Sequence, residues 1–203
     1  MNAIEFFHHS AGHWRSLRTT HHLAFRRTEA GESAIVVEPL AADDPQVVAI
    51  CQMHQVDPAR AIGGAYVRWD GSMAWDRSED ENHTGSTVFA LVPEDASQRS
   101  GQLLRERGYA EIVPVVGQFQ MDATDGLVLT TEYETMSSIE RFWFASPNLR
   151  LRTSTVKRFG GFSTATFCTE VRTDAMRSPD EQTPAEYFSL LAAEIHSNQP
   201  NPS

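Results

Sequence analysis

The sequence predicts a mainly β protein, an antiparallel up-and-down β-barrel of about ten strands with an N-terminal helix and one short inserted helix. Short segments rich in β-branched and aromatic residues follow one another through most of the chain. Turn-forming sequences such as Asp125-Gly126, Ser146-Pro147-Asn148 and Gly160-Gly161 separate these segments. Consecutive strands are therefore expected to pair as hairpins and to form a meander.

The chain is predicted to begin with an amphipathic helix in its first twenty residues, where Ile4, Phe6, Phe7 and Trp14 recur at near-helical spacing. The predicted strands follow at residues 21–27, 33–40, 61–69, 73–76, 86–93, 111–121, 127–135, 139–145, 149–159 and 163–171. The sequence Asp70-Gly71-Ser72 is interpreted as the tight turn between the third and fourth strands.

Two further helices are predicted outside the β pattern. Residues 44–54 should form a short helix, because Asp44-Pro45 is a typical helix start and an apolar side follows it. After Arg172 the composition changes to a polar, proline-containing stretch, and a short helix is predicted at 184–196. We therefore divide the chain into a barrel domain at 1–172 and a peripheral C-terminal tail at 173–203.

The charge composition argues against two classes of partner. The chain has 17 basic and 27 acidic residues and a formal net charge of -10, which disfavours binding to nucleic acid or to anionic membrane surfaces. No apolar run reaches the length of a membrane span, and the N-terminus lacks the features of an export signal. A cytoplasmic protein without nucleic-acid or membrane partners is expected.

The cysteines and histidines do not predict a metal site. Cys51 and Cys168 are far apart and belong to no metal-binding spacing, so we expect reduced, buried thiols. Histidines are frequent near the N-terminus, but no pair is spaced to share a third, acidic ligand on one helix. His21 and His22 are instead candidates for hydrogen-bonding groups at the entrance of a cavity.

A closed sheet of this size can enclose one small ligand, so the side chains that point inward matter. Arg150 and Arg152 alternate with Leu149 and Leu151 and therefore share one face of a strand. Two neighbouring guanidinium groups can bind two carboxylates. The alternative is that both arginines face water while the leucines line the interior.

Two aromatic-rich segments also suggest a binding cavity. Glu140 shares its strand face with Phe142 and Phe144, and an acid among aromatics in a cavity is a candidate functional group. The alternative is a strand end at which Glu140 reaches solvent.

Trp69 and Trp75 flank the Asp-Gly turn and are expected near one barrel mouth. There they can stack on a flat ligand, and the alternative is that they pack in the core.

Several motifs in the same order carry a family resemblance. They are Phe6-Phe7, Trp14-Arg15-Ser16, Thr19-Thr20-His21-His22-Leu23, Ile62-Gly63-Gly64, Trp69-Asp70-Gly71-Ser72-Met73-Ala74-Trp75, Gly126-Leu127-Val128-Leu129-Thr130-Thr131-Glu132-Tyr133, Glu140-Arg141-Phe142-Trp143 and Asn148-Leu149-Arg150-Leu151-Arg152-Thr153-Ser154. Over residues 1–172 the chain resembles the S-type phycobiliprotein lyases (CpcS/CpeS). The resemblance implies a lipocalin-like, fatty-acid-binding-protein-like barrel.

The resemblance also implies roles for individual residues. Those implied to bind a bilin are Arg150, Arg152, Trp69, Trp75, Trp14, Arg18 and His22, with the arginines at the propionates. Glu140 is implied to hydrogen-bond to the pyrrole nitrogens, and His21 matches the histidine position of the family. Glu140 and His21 are thus the implied catalytic residues.

The implied activity is the thioether attachment of phycocyanobilin or phycoerythrobilin to a cysteine of an apo-phycobiliprotein subunit. The clients would be phycocyanin, allophycocyanin or phycoerythrin, in a cyanobacterial cytosol or a plastid stroma. The bilin is the substrate and no permanently bound cofactor is expected. The client is expected to supply the thiolate, which leaves Cys51 and Cys168 without a nucleophilic role. A non-enzymatic bilin carrier is the alternative, and self-association or pairing with a related lyase subunit stays open.

Overall fold

The structure, a computed structural model, describes residues 1–73, 84–106, 115–158, 160–161 and 163–173. Within these residues, ten antiparallel strands form a closed barrel in which each strand pairs with its sequence neighbours and the first pairs with the last. The strands are β1 Gly12–His22, β2 Arg27–Leu40, β3 Gly63–Met73, β4 Gly85–Pro93, β5 Ser100–Arg105, β6 Val115–Met121, β7 Leu127–Glu132, β8 Met136–Ser146, β9 Leu149–Arg158 and β10 Ser163–Arg172. The predicted fold class is confirmed.

The N-terminal helix is shorter than predicted. Helix α1 spans Ala3–Ser10 and begins with a capping box formed by Asn2 and Glu5. The chain then passes through Gly12, whose φ of 112° suits glycine, and enters β1. Trp14 therefore lies in a strand, and part of the strand predicted at 21–27 is a 3₁₀ turn at Leu23–Phe25.

The inserted helix is confirmed as α2, Pro45–Met53. The carboxylate of Asp44 accepts a hydrogen bond from the backbone N–H of Gln46, and proline occupies the first turn. Its buried side packs on the outside of the barrel against β4 and forms a second apolar core beside the one inside the barrel. Cys51 belongs to this outer core.

The remaining differences from the prediction concern β3 and β5. Asp70-Gly71-Ser72 is not a turn, because β3 continues through it to Met73 and pairs with β2. A Cβ at Gly71 would lie 2.6 Å from the Oγ of Ser33, so glycine here permits close packing of two strands.

Strand β5, at Ser100–Arg105, was not predicted. The rest of the strand predicted at 73–76, and the tail with its helix at 184–196, lie outside the described residues.

Helix α1 closes one end of the barrel. Phe6 and Phe7 point into the barrel and pack against Phe144 and Phe89. Apolar side chains from β3 to β7 complete this inner core, whereas the inner faces of β1, β9 and β10 are largely polar. The interior thus has an apolar side and a charged side. Neither α1 nor α2, the helices of the described residues, has the length and apolar character that crossing a bilayer requires.

A charged cavity inside the barrel

A cavity of about 310 Å³ lies in the barrel next to α1. This volume is at the lower end of the range typical of small-molecule sites. Its apolar wall comes mainly from α1, β2, β3 and β7, and its charged wall from the neighbouring strands. The charged side chains that line it are Arg18, Arg105, Glu140, Arg150, Arg152 and Glu170.

The cavity continues away from α1. A second volume of about 300 Å³ shares Arg18, Glu140 and Arg152 with the first and extends to Met136 and Arg158 at the opposite end of the barrel. Strand pairing explains this arrangement, because Arg18, Arg152 and Glu140 lie on the inner faces of β1, β9 and β8. The combined space therefore runs from the aromatic side chains of α1 towards the end that α1 does not cover.

The cavity has a charge opposite to that of the whole protein. Among the described residues, four arginine and two glutamate side chains line it, whereas the chain has a formal net charge of -10. Charges in a partly desolvated cavity interact more strongly than charges on the surface. The cavity is therefore suited to an anionic ligand with an extended apolar part.

The deepest charged contact joins β9 to β10. The Nε of Arg150 donates to Oε2 of Glu170 at 2.6 Å, and the two residues are 5% and 0% exposed. The guanidinium of Arg150 also lies 4.7 Å from the ring centre of Trp14. Burial alone would raise the pKa of Glu170, but the positive charges of Arg150 and Arg152 outweigh it and hold this pKa below its ordinary value.

A second contact lies closer to the open part of the cavity. The Nη1 of Arg152 lies 3.3 Å from Oε1 of Glu140, which is 8% exposed. The Nη2 of Arg152 lies 3.2 Å from the Sγ of Cys168, which faces inward from β10. Phe142 lies beside Arg152, with 5.5 Å from the guanidinium to its ring centre. A hydrogen-bond acceptor and a cation thus stand together against an aromatic surface.

The structure brings most of the predicted binding residues to this cavity. Arg18, Trp69, Glu140, Arg150 and Arg152 all line it. Arg150 and Glu140 are buried, so neither reaches solvent in the way that the alternative interpretations required.

The remaining two tryptophans are placed differently. Trp14 is not among the lining residues: it packs behind Arg150, and its Nε1 donates to the backbone oxygen of Ser10 at 2.8 Å. Trp75 lies outside the described residues.

Trp69 has a specific structural environment. It pairs with Gly85 across β3 and β4. A Cβ at Gly85 would lie 2.4 Å from the Cζ2 of the indole ring. Glycine at this position therefore leaves the space that the indole occupies.

Neither His21 nor His22 lines this cavity. His21 lies on the outer face of β1, where it is exposed and its Nδ1 lies 3.2 Å from the Oγ1 of Thr28. The position of His21 therefore gives no support to a catalytic role, because successive residues of a strand point to opposite faces. His22 points the other way, pairs with Glu29 at 2.8 Å and lines a separate depression near the end of the barrel.

Sequence reasoning missed Glu170 and Arg105. Glu170 lies two residues after Cys168 on the predicted strand at 163–171, so strand alternation alone could have placed both on one face. The sequence around Glu170 did not indicate that the face of β10 carrying Cys168 and Glu170 points into the barrel. Arg105 is the last residue of β5, and it was missed together with that strand.

Comparisons with known proteins identify the family of the chain. Residues 2–173 match the family described as CpeS-like protein. The chain is 66% identical over 190 residues to the chromophore lyase CpcS/CpeS 2 of Trichodesmium erythraeum, which covers 94% of this chain and 96% of that protein. It is 64% identical over 171 residues to the phycocyanobilin lyase subunit CpcS of a Picosynechococcus species, covering 84% and 86% respectively.

A solved structure shows the same fold. The S-type phycobiliprotein lyase CPES from Guillardia theta superposes with a TM-score of 0.75 at 37% sequence identity. The match covers 90% of this chain and 95% of that one.

Proposed function

Because this chain belongs to the CpeS-like family, we propose that it is a chromophore lyase that binds a linear tetrapyrrole in the barrel and promotes its thioether attachment to a phycobiliprotein cysteine. The relatives described above are named chromophore or phycocyanobilin lyases. The observation that carries the proposal is the cavity itself, which combines an apolar wall with a positively charged wall in an acidic protein.

The chemistry of the ligand matches the two walls. A linear tetrapyrrole is a long conjugated system with two propionate groups and a row of ring nitrogens. The apolar wall, including Trp69 and Phe142, suits the conjugated rings. Arg18, Arg150 and Arg152 suit the propionates, because guanidinium groups bind carboxylates through paired N–H donors.

The two glutamates of the cavity have different roles: Glu170 holds an arginine in position, and Glu140 binds the ligand. Glu170 engages the Nε of Arg150, so a propionate would be bound through the terminal Nη groups of that arginine. Glu140 lies nearer the open part of the cavity and can accept hydrogen bonds from the ring nitrogens. An anionic Glu140 there would favour the protonated tetrapyrrole, which is more electrophilic at the ethylidene group of ring A.

The reaction needs no further reagent. The client sulfur forms a bond to the ethylidene carbon and a proton adds to the conjugated system, so the step is an addition without a leaving group or an oxidant. The barrel contributes by fixing the position and conformation of the chromophore and by presenting ring A to the client thiolate. In this mechanism Cys51 and Cys168 are not nucleophiles.

Co-expression tests the proposal. The protein is produced with a bilin-synthesising system and an apo-phycobiliprotein β subunit, and zinc-enhanced fluorescence of the denatured client band is measured. Wild type should label the client, whereas Arg18→Ala/Arg152→Ala should reduce labelling about tenfold or more, since charged hydrogen bonds are lost. The control is Arg68→Ala, which removes an exposed arginine on the outer face of β3.

The outcomes separate the lyase from the carrier. A labelled client with wild type and with Arg68→Ala, but not with the cavity variant, supports the lyase. A coloured barrel beside an unlabelled client would favour a carrier that binds bilin without promoting attachment. No bilin uptake by the wild type would contradict both functions.

A further inference from the structure

The end of the barrel opposite α1 has an unusual surface at two neighbouring turns. The turn between β1 and β2 contains Leu23 and Phe25, which are 57% and 67% exposed and are the most exposed large apolar side chains of the described residues. The turn between β9 and β10 lies beside it, because β10 pairs with both β1 and β9. Exposed apolar side chains at one place often mark a contact with a partner.

The same two turns carry positive charge. Arg26, Arg27, Lys157 and Arg158 are all exposed. Arg27 pairs with Glu29 at 3.3 Å, and no ion pair joins Arg26, Lys157 or Arg158 to an acid of the described residues.

We call Leu23, Phe25, Arg26, Lys157 and Arg158 the basic rim. Exposed acids border the rim on its β8 side. Glu132 ends β7 and pairs with Ser137, which in turn pairs with Lys157, and Glu134 lies in the β7–β8 turn. The rim is therefore a basic and apolar patch at the β1–β2 and β9–β10 turns with acidic side chains on one flank.

The basic rim lies beside the outer part of the cavity. Phe25 and Arg158 line a depression of about 330 Å³. Val156, Arg158 and Thr164 line both this depression and the outer part of the cavity, which ends at Glu140 and Arg152. A protein bound at the rim would thus lie next to the end of the cavity that α1 does not cover.

We propose that the basic rim is the docking surface for the client and that it recognises an acidic, partly apolar surface beside the acceptor cysteine. This inference rests on the proposed lyase function and names where and how the client binds. In a chain of net charge -10, most of the surface repels an acidic partner, so a local basic patch both attracts the client and orients it. Phe25 and Leu23 supply apolar contact at the centre of the patch.

Charge reversal at the rim tests this inference. Arg26→Glu/Lys157→Glu removes two exposed cations that do not line the cavity. Bilin binding, measured by visible-absorption titration, should equal that of the wild type. The rate of client labelling at limiting apo-subunit should fall about tenfold, because rim charges act mainly on association. At saturating client the rate should return close to that of the wild type.

The matched control is Arg60→Glu/Arg68→Glu, which makes the same change in net charge at exposed arginines away from the rim. It should label the client at a rate close to that of the wild type. Salt at about 0.5 M should slow the wild type and leave the rim variant little changed, because such salt screens exposed charges over a few ångströms. Phe25→Ser tests the apolar contact separately and should also raise the apparent KM for the client.

The results distinguish failure of this inference from failure of the proposed function. An unchanged labelling rate in the rim variant, or an equal loss in the control, would overturn the docking surface while leaving the lyase intact. Binding of bilin-free protein to apo-β subunits of phycocyanin, allophycocyanin and phycoerythrin is measured in parallel by biolayer interferometry. If the wild type binds a subunit and the rim variant binds it equally well, the inference is wrong whether or not any bilin is transferred.

Discussion

Replacing Glu170 by alanine should destabilise the protein more than most single substitutions. Glu170 is the buried acid that faces Arg150, with 2.6 Å between its Oε2 and the arginine Nε. It also lies 3.5 Å from the Nε of Arg152. Its removal leaves Arg150, 5% exposed, as a buried cation without its carboxylate.

The size of the effect follows from this geometry. Removing one partner of a buried ion pair typically costs 3 to 5 kcal/mol. We expect the lower end, about 3 kcal/mol, because the Arg150 guanidinium keeps its contacts with the rings of Trp14 and Phe142 and borders the cavity. For a domain of this size, that corresponds to a fall in Tm of about 6 to 12 °C.

Thermal and urea unfolding at neutral pH, followed by tryptophan fluorescence, measure this difference. The matched control is Arg150→Met/Glu170→Leu, in which both charges are replaced by apolar groups of similar size. It should recover most of the lost stability, because such replacements are often neutral or stabilising. A Glu170→Ala variant within about 1 kcal/mol of the wild type, or a double variant as unstable as the single one, would refute the reasoning.

The same pair has a defined pH dependence. Since the folded-state pKa of Glu170 is lowered, its contribution to stability is complete above the ordinary value of 4.5 and is lost as the pH falls through the folded-state pKa. The stability difference between wild type and Glu170→Gln should therefore be constant near neutrality and shrink below about pH 4.5. A difference that grew on acidification would contradict the assigned ion pair.

Three further predictions concern separate parts of the structure. Asp122→Ala should lower the free energy of unfolding by about 2 kcal/mol in urea, because its carboxylate accepts hydrogen bonds from the β6–β7 turn and from an arginine of β8. Gly64→Ala places a Cβ 2.0 Å from a backbone oxygen of β4 and should cost about 2 kcal/mol or more, whereas Gly117→Ala, at 3.1 Å from its nearest atoms, should cost clearly less. Cys51→Ser/Cys168→Ser should still label the client in the zinc-fluorescence assay, and a folded variant without labelling would show that a thiol of the barrel takes part.

The sequence was sufficient to predict the barrel because most strands are separated by recognisable turns. It was insufficient at β1, which the spacing of Phe6, Phe7 and Trp14 assigned to a continuing helix. The inner face of β1 carries Ser16 and Arg18, which line or adjoin a cavity, while Leu17 faces outward and is exposed. The usual alternation of buried apolar and exposed polar residues is therefore inverted where the barrel holds its cavity.

The same inversion explains which site residues were missed. Glu170 looked like a surface residue because acids on strands are usually exposed, yet it is fully buried against Arg150. Arg150 was predicted from its alternation with Leu149 and Leu151, Glu140 from its place on a face with Phe142 and Phe144, and both from the family resemblance. At Asp70-Gly71 the prediction was wrong for a different reason. The sequence is typical of a tight turn, but the segment pairs with β2 and continues as a strand.

The closing pair of strands links folding to function. Every other strand pair of the barrel joins sequence neighbours, whereas β1 pairs with β10, the last strand. Their register places Ser16 opposite Glu170, 154 positions later in the chain. Such a long-range contact is expected to form late in folding, because the entropy cost of closing a large loop comes before the free energy that the contact contributes. Glu170 reaches Arg150 only when β10 is in place, so this buried ion pair cannot form until nearly the whole barrel has been synthesised. A barrel without its last strand lacks both its closure and the acid that holds Arg150 in position.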